Sequence, residues 1–488
     1  MKALSISPRL LAIPLLTLAV FLAGCAGSPS VGTSWPGITV YPATPVNAAA
    51  EVDASTGAIP AVAPAPAAVA TSQTIYMAYH KVYAIDPANG KMKWVFPTPP
   101  ATLSGAQAFY APPAVSDDLI VVTDYVDTVF ALSPDTGENK WYFKPAEQKD
   151  RSRFVGGAAI GDKYVYVASV NGVVRALNKK DGTEAHIFKA ADQVWATPLL
   201  DGDTLYVASF DRHIYALDAA TLSLKWKFPD KPEDAGDPPM GPIVSTPTLH
   251  KGILYFGSFN YHVYALDTAT RQVRWKYDTT NWVWSSPVYD EVSNRLIGAD
   301  LDGHIFALNP EDGSPAWKVD AVPSSRTPIV GAPLLATRPD TTRVVYITVG
   351  GGPTEPNLLT LKTDDGTEAK SPNSLQATFD NAILFIPLDP TQRVIPIFAP
   401  PVAANDLLLL GAQEGKYQIY ALDSATFENK WQFNSTQAED DAKKASPPPA
   451  DQGGLFGNST FTTVLLIGSL FVLLLTFLTN RRQGGKGK

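Results

Sequence analysis

The chain has 488 residues, 45% of them hydrophobic, with 47 acidic against 39 basic side chains for a net charge of −8. Its one cysteine, Cys25, excludes an internal disulfide, CxxC redox chemistry and any zinc site built from two thiolates. Six of the basic residues sit in acid-free end segments, which leaves 33 against 47 in between, a balance that excludes nucleic acid as a partner because its binding rests on neutralising phosphates.

Residues 1–24 place Lys2 and Arg9 ahead of an apolar run from Leu10 to Ala23 that contains Pro14. About 14 apolar residues are too few to span a bilayer and suit an export signal. Leu22-Ala23-Gly24-Cys25 resembles the bacterial lipobox, which implies cleavage before Cys25 and lipidation of its thiol. Residues 25–66, rich in Ala, Pro and Ser, have no apolar periodicity and read as a solvated tether.

From 67 to 434 the chain repeats itself. "HIYALDAATLSLKWKF" (213–228) returns as "HVYALDTATRQVRWKY" (262–277) and, shortened, as "VYAIDPANGKMKWVF" (82–96). Each unit predicts a Pro-led first strand, a second strand, a hairpin turn, a third strand carrying the Ala-Leu-Asp, a turn and a last strand at the Trp. Aligned on that Ala, copies stand at Ala84, Ala131, Ala176, Ala216, Ala265, Ala307, Thr360 and Ala421. Four short strands per unit of about 45 residues predict an all-β, eight-bladed β-propeller of four-stranded antiparallel blades, since one such sheet cannot bury both its faces alone. A solenoid of the same units would leave apolar faces open at both ends.

Ten residues after the Ala stand Trp94, Trp141, Trp226, Trp275, Trp317 and Trp431, while His186 and Lys370 take that place in copies three and seven. Ala216-Leu-Asp-Ala-Ala-Thr-Leu-Ser-Leu-Lys-Trp226 resembles the tryptophan-docking motif of PQQ-like propellers. The resemblance covers all eight units and implies that each indole packs between neighbouring blades. It also implies weaker joints at His186 and Lys370.

The C-terminal part predicts a polar linker over 435–458, a transmembrane helix over 459–479 and a basic tail over 480–488. Arg481 and Arg482 put that tail on the cytoplasmic side under the positive-inside rule. The expected location is the cytoplasmic membrane of a bacterium, with the propeller on the extracytoplasmic side.

For chemistry the repeats offer little. His213, His262 and His304 share one register, but equivalent positions of adjacent blades lie too far apart for three rings to meet one metal. The family includes PQQ-dependent alcohol and sugar dehydrogenases, so a quinone site with calcium is the enzymatic alternative; the adjacent cysteines of many such enzymes are absent, and no stretch matches their calcium ligands. No catalytic residue, metal or cofactor is expected. The lipobox and the blades together resemble BamB-type outer-membrane assembly lipoproteins, from which the apolar C-terminal run departs. The expected function is a membrane-anchored, non-catalytic protein-binding scaffold at the cell envelope, with unidentified envelope or membrane proteins as partners. A surface sensor acting through a membrane partner is a further alternative. Insertions at 229–242, 350–357 and 371–397 are the candidate partner surface.

Overall fold

The computed structural model describes residues 37–41, 73–97, 109–145, 153–236, 238–321, 328–338, 340–349, 358–369, 400–411 and 418–445. The chain divides into two compact units, 1–439 and 440–488. The first is an eight-bladed β-propeller, and every blade is built from consecutive strands. Blade 1 holds β1 (Gly37–Tyr41), β2 (Thr74–Ala78), β3 (Val82–Ile85) and β4 (Met92–Phe96); blade 2 holds β5 (Ala114–Val115), β6 (Ile120–Thr123), β7 (Val129–Leu132) and β8 (Asn139–Phe143). Blade 3 holds β9 (Ala159–Ile160), β10 (Tyr164–Ala168), β11 (Val173–Asn178) and β12 (Glu184–Lys189); blade 4 holds β13 (Leu199–Asp201), β14 (Thr204–Ala208), β15 (Ile214–Asp218) and β16 (Leu224–Phe228). Blade 5 holds β17 (Thr248–His250), β18 (Ile253–Ser258), β19 (His262–Asp267) and β20 (Gln272–Asp278); blade 6 holds β21 (Val288–Asp290), β22 (Arg295–Ala299), β23 (His304–Leu308) and β24 (Pro315–Asp320). Blade 7 shows three strands among the described residues, β25 (Leu334–Thr337), β26 (Arg343–Thr348) and β27 (Leu358–Lys362). Blade 8 ends the ring with β28 (Val402–Ala404), β29 (Leu407–Gly411), β30 (Ile419–Asp423) and β31 (Asn429–Phe433).

The ten-residue spacing from Ala to Trp has a geometric cause. A bulge follows the Ala in each outer hairpin that is paired throughout, and it places the small side chain directly opposite the large one: Ala84↔Trp94, Ala131↔Trp141, Ala216↔Trp226, Ala265↔Trp275, Ala307↔Trp317 and Ala421↔Trp431. A bulge bends its strand and re-aims the side chains beside it. The residue before the Trp stands at the bulge, and it is an exposed Lys93, Lys140, Lys225, Arg274 or Lys430 in five blades. Cationic side chains on an outermost strand discourage pairing with another chain.

Two elements lie where the sequence reads as solvated chain. β1 falls inside the 25–66 stretch and pairs along its whole length with β2, 32 residues later, and its Ile38 and Val40 are buried in the core. Ser435–Ala445, at the start of the 435–458 linker, forms helix α1. In the second unit the described residues continue α1, with Lys444 and Asp441 3.9 Å apart. Among the described residues no helix is long and apolar enough to cross a membrane. The predicted span 459–479, the tail 480–488, the signal 1–24 and Cys25 lie outside the described residues.

Candidate partner-binding face

The joints between blades set the geometry of everything the ring displays. Trp94, Trp141, Trp275, Trp317 and Trp431 each donate the indole N–H to a carbonyl of the next blade in the ring, those of Pro134, Lys179, Pro310, Thr363 and Pro87, at 2.8–2.9 Å. Each indole also lies on a glycine of that blade's outer turn: Gly137, Gly182, Gly313, Gly366 and Gly90, with φ between 69° and 74°. A Cβ at any of these would stand 2.4–2.6 Å from an indole carbon. The glycine thus serves twice, reaching a left-handed backbone and clearing room for the ring. Trp226 is half-buried beside Tyr206, and the equivalent turn of the next blade carries an exposed Arg271 (φ 60°) where five blades have glycine.

The two joints without tryptophan are filled differently. After blade 3, whose Trp position is His186, the Tyr166 hydroxyl donates to the Ala219 carbonyl at 2.7 Å, and Leu222 (φ 54°) occupies the glycine position, 2% exposed. After blade 7, whose Trp position is Lys370, the Tyr346 hydroxyl donates to Ser424 at 3.1 Å, and Phe427 (φ 61°), also 2% exposed, fills the glycine position. The tyrosine–carbonyl bond also occurs beside Trp94 and Trp275, at 3.3 and 3.4 Å, so what distinguishes the joints without an indole is the bulky side chain in the glycine position. At the two joints where His186 and Lys370 led to an expectation of weaker contact, Leu222 and Phe427 are buried.

In an up-and-down blade, the turn between the second and third strands and the connection to the next blade leave from the same end of the ring. At blades 4 and 5 these segments are laced by main-chain bonds: Phe210 N–H to Gln193, Ile243 N–H to Ser209, Phe259 N–H to Pro242, and Leu301 N–H to Trp282. On that frame sits an aromatic network. Trp195 lies 4.8 Å from Phe210 and 5.9 Å from Trp284 between ring centroids. Trp282 stacks on Phe259 at 4.5 Å and 7°. Trp282 and Trp284 are only half-buried.

The tips of the two hairpins carry Arg212 (φ 73°) and Tyr261 (φ 67°), both exposed, where blades 3 and 6 have Gly172 and Gly303. A non-glycine residue in this region costs about 1–2 kcal/mol. Non-glycine residues at strained positions concentrate at binding sites. Part of the predicted insertion 229–242 belongs to the same face: Pro239 accepts from the Asn260 side chain, Gly241 N–H donates to Ser258, and Met240 is buried. The insertions 350–357 and 371–397 lie outside the described residues, although Thr348 and Leu358, which flank the first, open onto the same end. Sequence reasoning missed the aromatic network. Its signal was the Ser-Phe opening both turns (209–210 and 258–259) and a Trp three residues before Pro198 and before Pro287.

The three histidines are not brought together. His213 pairs with Asp211 at 3.2 Å, His262 with Asp278 at 3.0 Å, and His304 with the buried Asp300 at 3.1 Å. Among the described residues no group of three or more His, Cys, Asp or Glu could hold a metal.

Elsewhere on this end, Asp124 is fully buried in the blade 2 hairpin. Burial raises its carboxyl to about 6, although its Oδ1 accepts the N–H groups of Val126, Asp127 and Thr128. The native state therefore holds this proton more tightly than the unfolded chain does, so stability falls as pH rises from about 4 through 6. Asp124→Asn is expected to remove that slope, gaining about 2–3 kcal/mol on wild type between pH 4 and 7. Urea unfolding at several pH values checks it; a constant difference between the two proteins would refute it.

Eight repeated sheets in a ring, five of their joints docked by an indole on a left-handed glycine turn, define a PQQ-like β-propeller. The chain belongs to the family described as outer membrane protein assembly factor BamB, whose model matches residues 46–153, 146–248 and 233–437. BamB of Xanthomonas campestris pv. campestris is 34% identical over 91 residues, 18% of this chain and 22% of that protein. BamB of Escherichia coli is 32% identical over 104 residues, 20% of this chain and 26% of that protein. These matches span about a quarter of the length of the curated relatives. The crystal structure of BamB from Moraxella catarrhalis aligns over 70% of this chain and 91% of its own with a TM-score of 0.51 and 17% identity, a likeness of fold. The family overturns the cytoplasmic-membrane placement with a cytoplasmic tail that the C-terminal residues suggested: its relatives are named outer membrane protein assembly factors.

Proposed function

We propose that this chain is a non-catalytic docking scaffold in envelope protein assembly, and that it engages its partner through the hairpin end of blades 4 and 5. The observation that carries this reading is the aromatic network of Trp195, Phe210, Phe259, Trp282 and Trp284, flanked by Arg212 and Tyr261 on strained hairpin tips. Trp, Tyr and Arg are the residue types that dominate binding hot spots, and a preordered aromatic platform loses little side-chain freedom on association. The main-chain lacing keeps it in place before a partner arrives. Membership of a family named for outer membrane protein assembly supplies the partner class, and lipid on Cys25 supplies the tether.

The test is a pull-down of the full chain from detergent-solubilised envelopes. Wild type is expected to retain outer membrane assembly proteins, and Arg212→Ala with Tyr261→Ala to lose them at least about tenfold, as truncation of two hot-spot residues would. Val292→Ser, an exposed site on a hairpin at the opposite end of the ring, serves as the control and should behave as wild type. Cys25→Ser should move the chain into the soluble fraction. Equal recovery by the double variant and wild type would end the docking reading, and a membrane-bound Cys25→Ser protein would end the lipid tether.

A further inference from the structure

Seven of the eight joints join blades that follow one another in the chain. The eighth, between blade 8 and blade 1, brings β31 against a blade whose inner strand starts at Gly37, so no short connection holds it. Loop-closure entropy favours joints between neighbouring segments, so this one must be held by contact alone. Among the described residues no strand is exchanged between the two blades. Trp431 supplies the ordinary docking, with its N–H on Pro87 and its ring over Gly90.

Beyond that, the chain makes contacts found at this joint. After β31, Asn434 caps α1, its side chain accepting from Gln437 N–H at 2.9 Å, while Gln418 accepts from Ser435 N–H at 2.8 Å. Ala438 packs against the core shared by blades 8 and 1. The Glu439 carboxylate then reaches into blade 1: Oε1 accepts from the Tyr83 hydroxyl at 2.6 Å, and Oε2 from Lys81 Nζ at 2.5 Å. His80 Nε2 is 3.9 Å away and also touches the Tyr83 hydroxyl at 3.0 Å. Glu439 is 8% exposed and Tyr83 fully buried, and the Tyr83 ring meets Phe433 of β31 edge-on at 5.5 Å. Burial alone would raise the Glu439 carboxyl, but hydrogen bonds from Lys81 and Tyr83 outweigh it and hold the group below its ordinary range.

The comparison with other blades shows that blade 1 is fitted to receive this carboxylate. Two tyrosines equivalent to Tyr83 find a partner four residues back in their own hairpin: Tyr215 donates to Asp211, and Tyr264 bonds Asn260. In blade 1 that position is Tyr79, which offers no such side chain, and the acceptor comes from the far end of the ring.

We propose that residues 434–439 form a latch that closes the propeller, with Glu439 as its bolt and Lys81 and Tyr83 as its seat. Hydrogen exchange of the full-length protein tests this. Glu439→Ala is expected to speed exchange at least about tenfold in β1–β4 and β28–β31, while blades 4 and 5 exchange as in wild type. Glu439→Gln keeps an acceptor for Tyr83 and loses the charge facing Lys81, so it should give a smaller rise in the same two blades and remain measurable if the alanine variant does not accumulate. Lys81→Met with Tyr83→Phe should reproduce the alanine pattern from the other side. Unchanged exchange in the terminal blades, or an equal rise in all eight, would overturn the latch.

Discussion

Trp275→Ala is expected to cost about 3–5 kcal/mol, the range for truncating a buried aromatic residue whose site cannot collapse. The indole is 7% exposed, lies on Gly313 and donates to the Pro310 carbonyl at 2.8 Å. The Tyr255 hydroxyl also reaches that carbonyl, at 3.4 Å, so the carbonyl keeps a donor and the loss is chiefly one of packing. Trp226→Ala should cost less, about 2 kcal/mol, because that indole is half-buried and the equivalent turn of the next blade has Arg271 in place of glycine. Urea unfolding of the two variants checks the pair. If they lost the same amount, stacking on the glycine would not be what an indole contributes to a joint.

The blades were legible because each carries its own instructions. The Pro-led strand, the Asp of the outer turn and the Ala-to-Trp interval all lie within one copy, and the bulge makes that interval ten residues in every copy that has the Trp. Features that belong to pairs of copies were not legible in the same way. Leu222 looks like an arbitrary turn residue until it is set beside His186 in the preceding blade, and Phe427 until it is set beside Lys370. β1 was hidden because five residues flanked by Ala- and Pro-rich sequence carry no repeat context; only pairing with β2 identifies them. The latch was hidden for the same reason, since Glu439 acquires a role only when the last blade meets the first. The docking face was half-legible. Insertion length pointed to 229–242, but the aromatics lie in turns of ordinary length, where only comparison between blades 4 and 5 exposes them.

If the rule of the joints is correct, a joint should be convertible. His186→Trp with Leu222→Gly would write the tryptophan–glycine pair into the joint between blades 3 and 4. Alone, His186→Trp would drive an indole against the buried Leu222 and give up the contacts of His186 with Tyr164, for a loss of about 2 kcal/mol by overpacking. Alone, Leu222→Gly would relieve the left-handed strain yet empty the joint of a buried leucine, for a loss of about 2–4 kcal/mol. Together the new ring should fill the space the leucine leaves. Its N–H would reach the Ala219 carbonyl already held by Tyr166, and a carbonyl accepts two donors, as Pro134 does from Trp94 and Tyr76. The double variant should therefore recover at least about 2 kcal/mol of the summed single losses, a coupling that a double-mutant cycle reads directly. Additive losses would mean that the two positions merely co-occur. Recovery would mean that the ring is held by interchangeable two-part joints, and that the indole needs only a clear left-handed turn in the next blade.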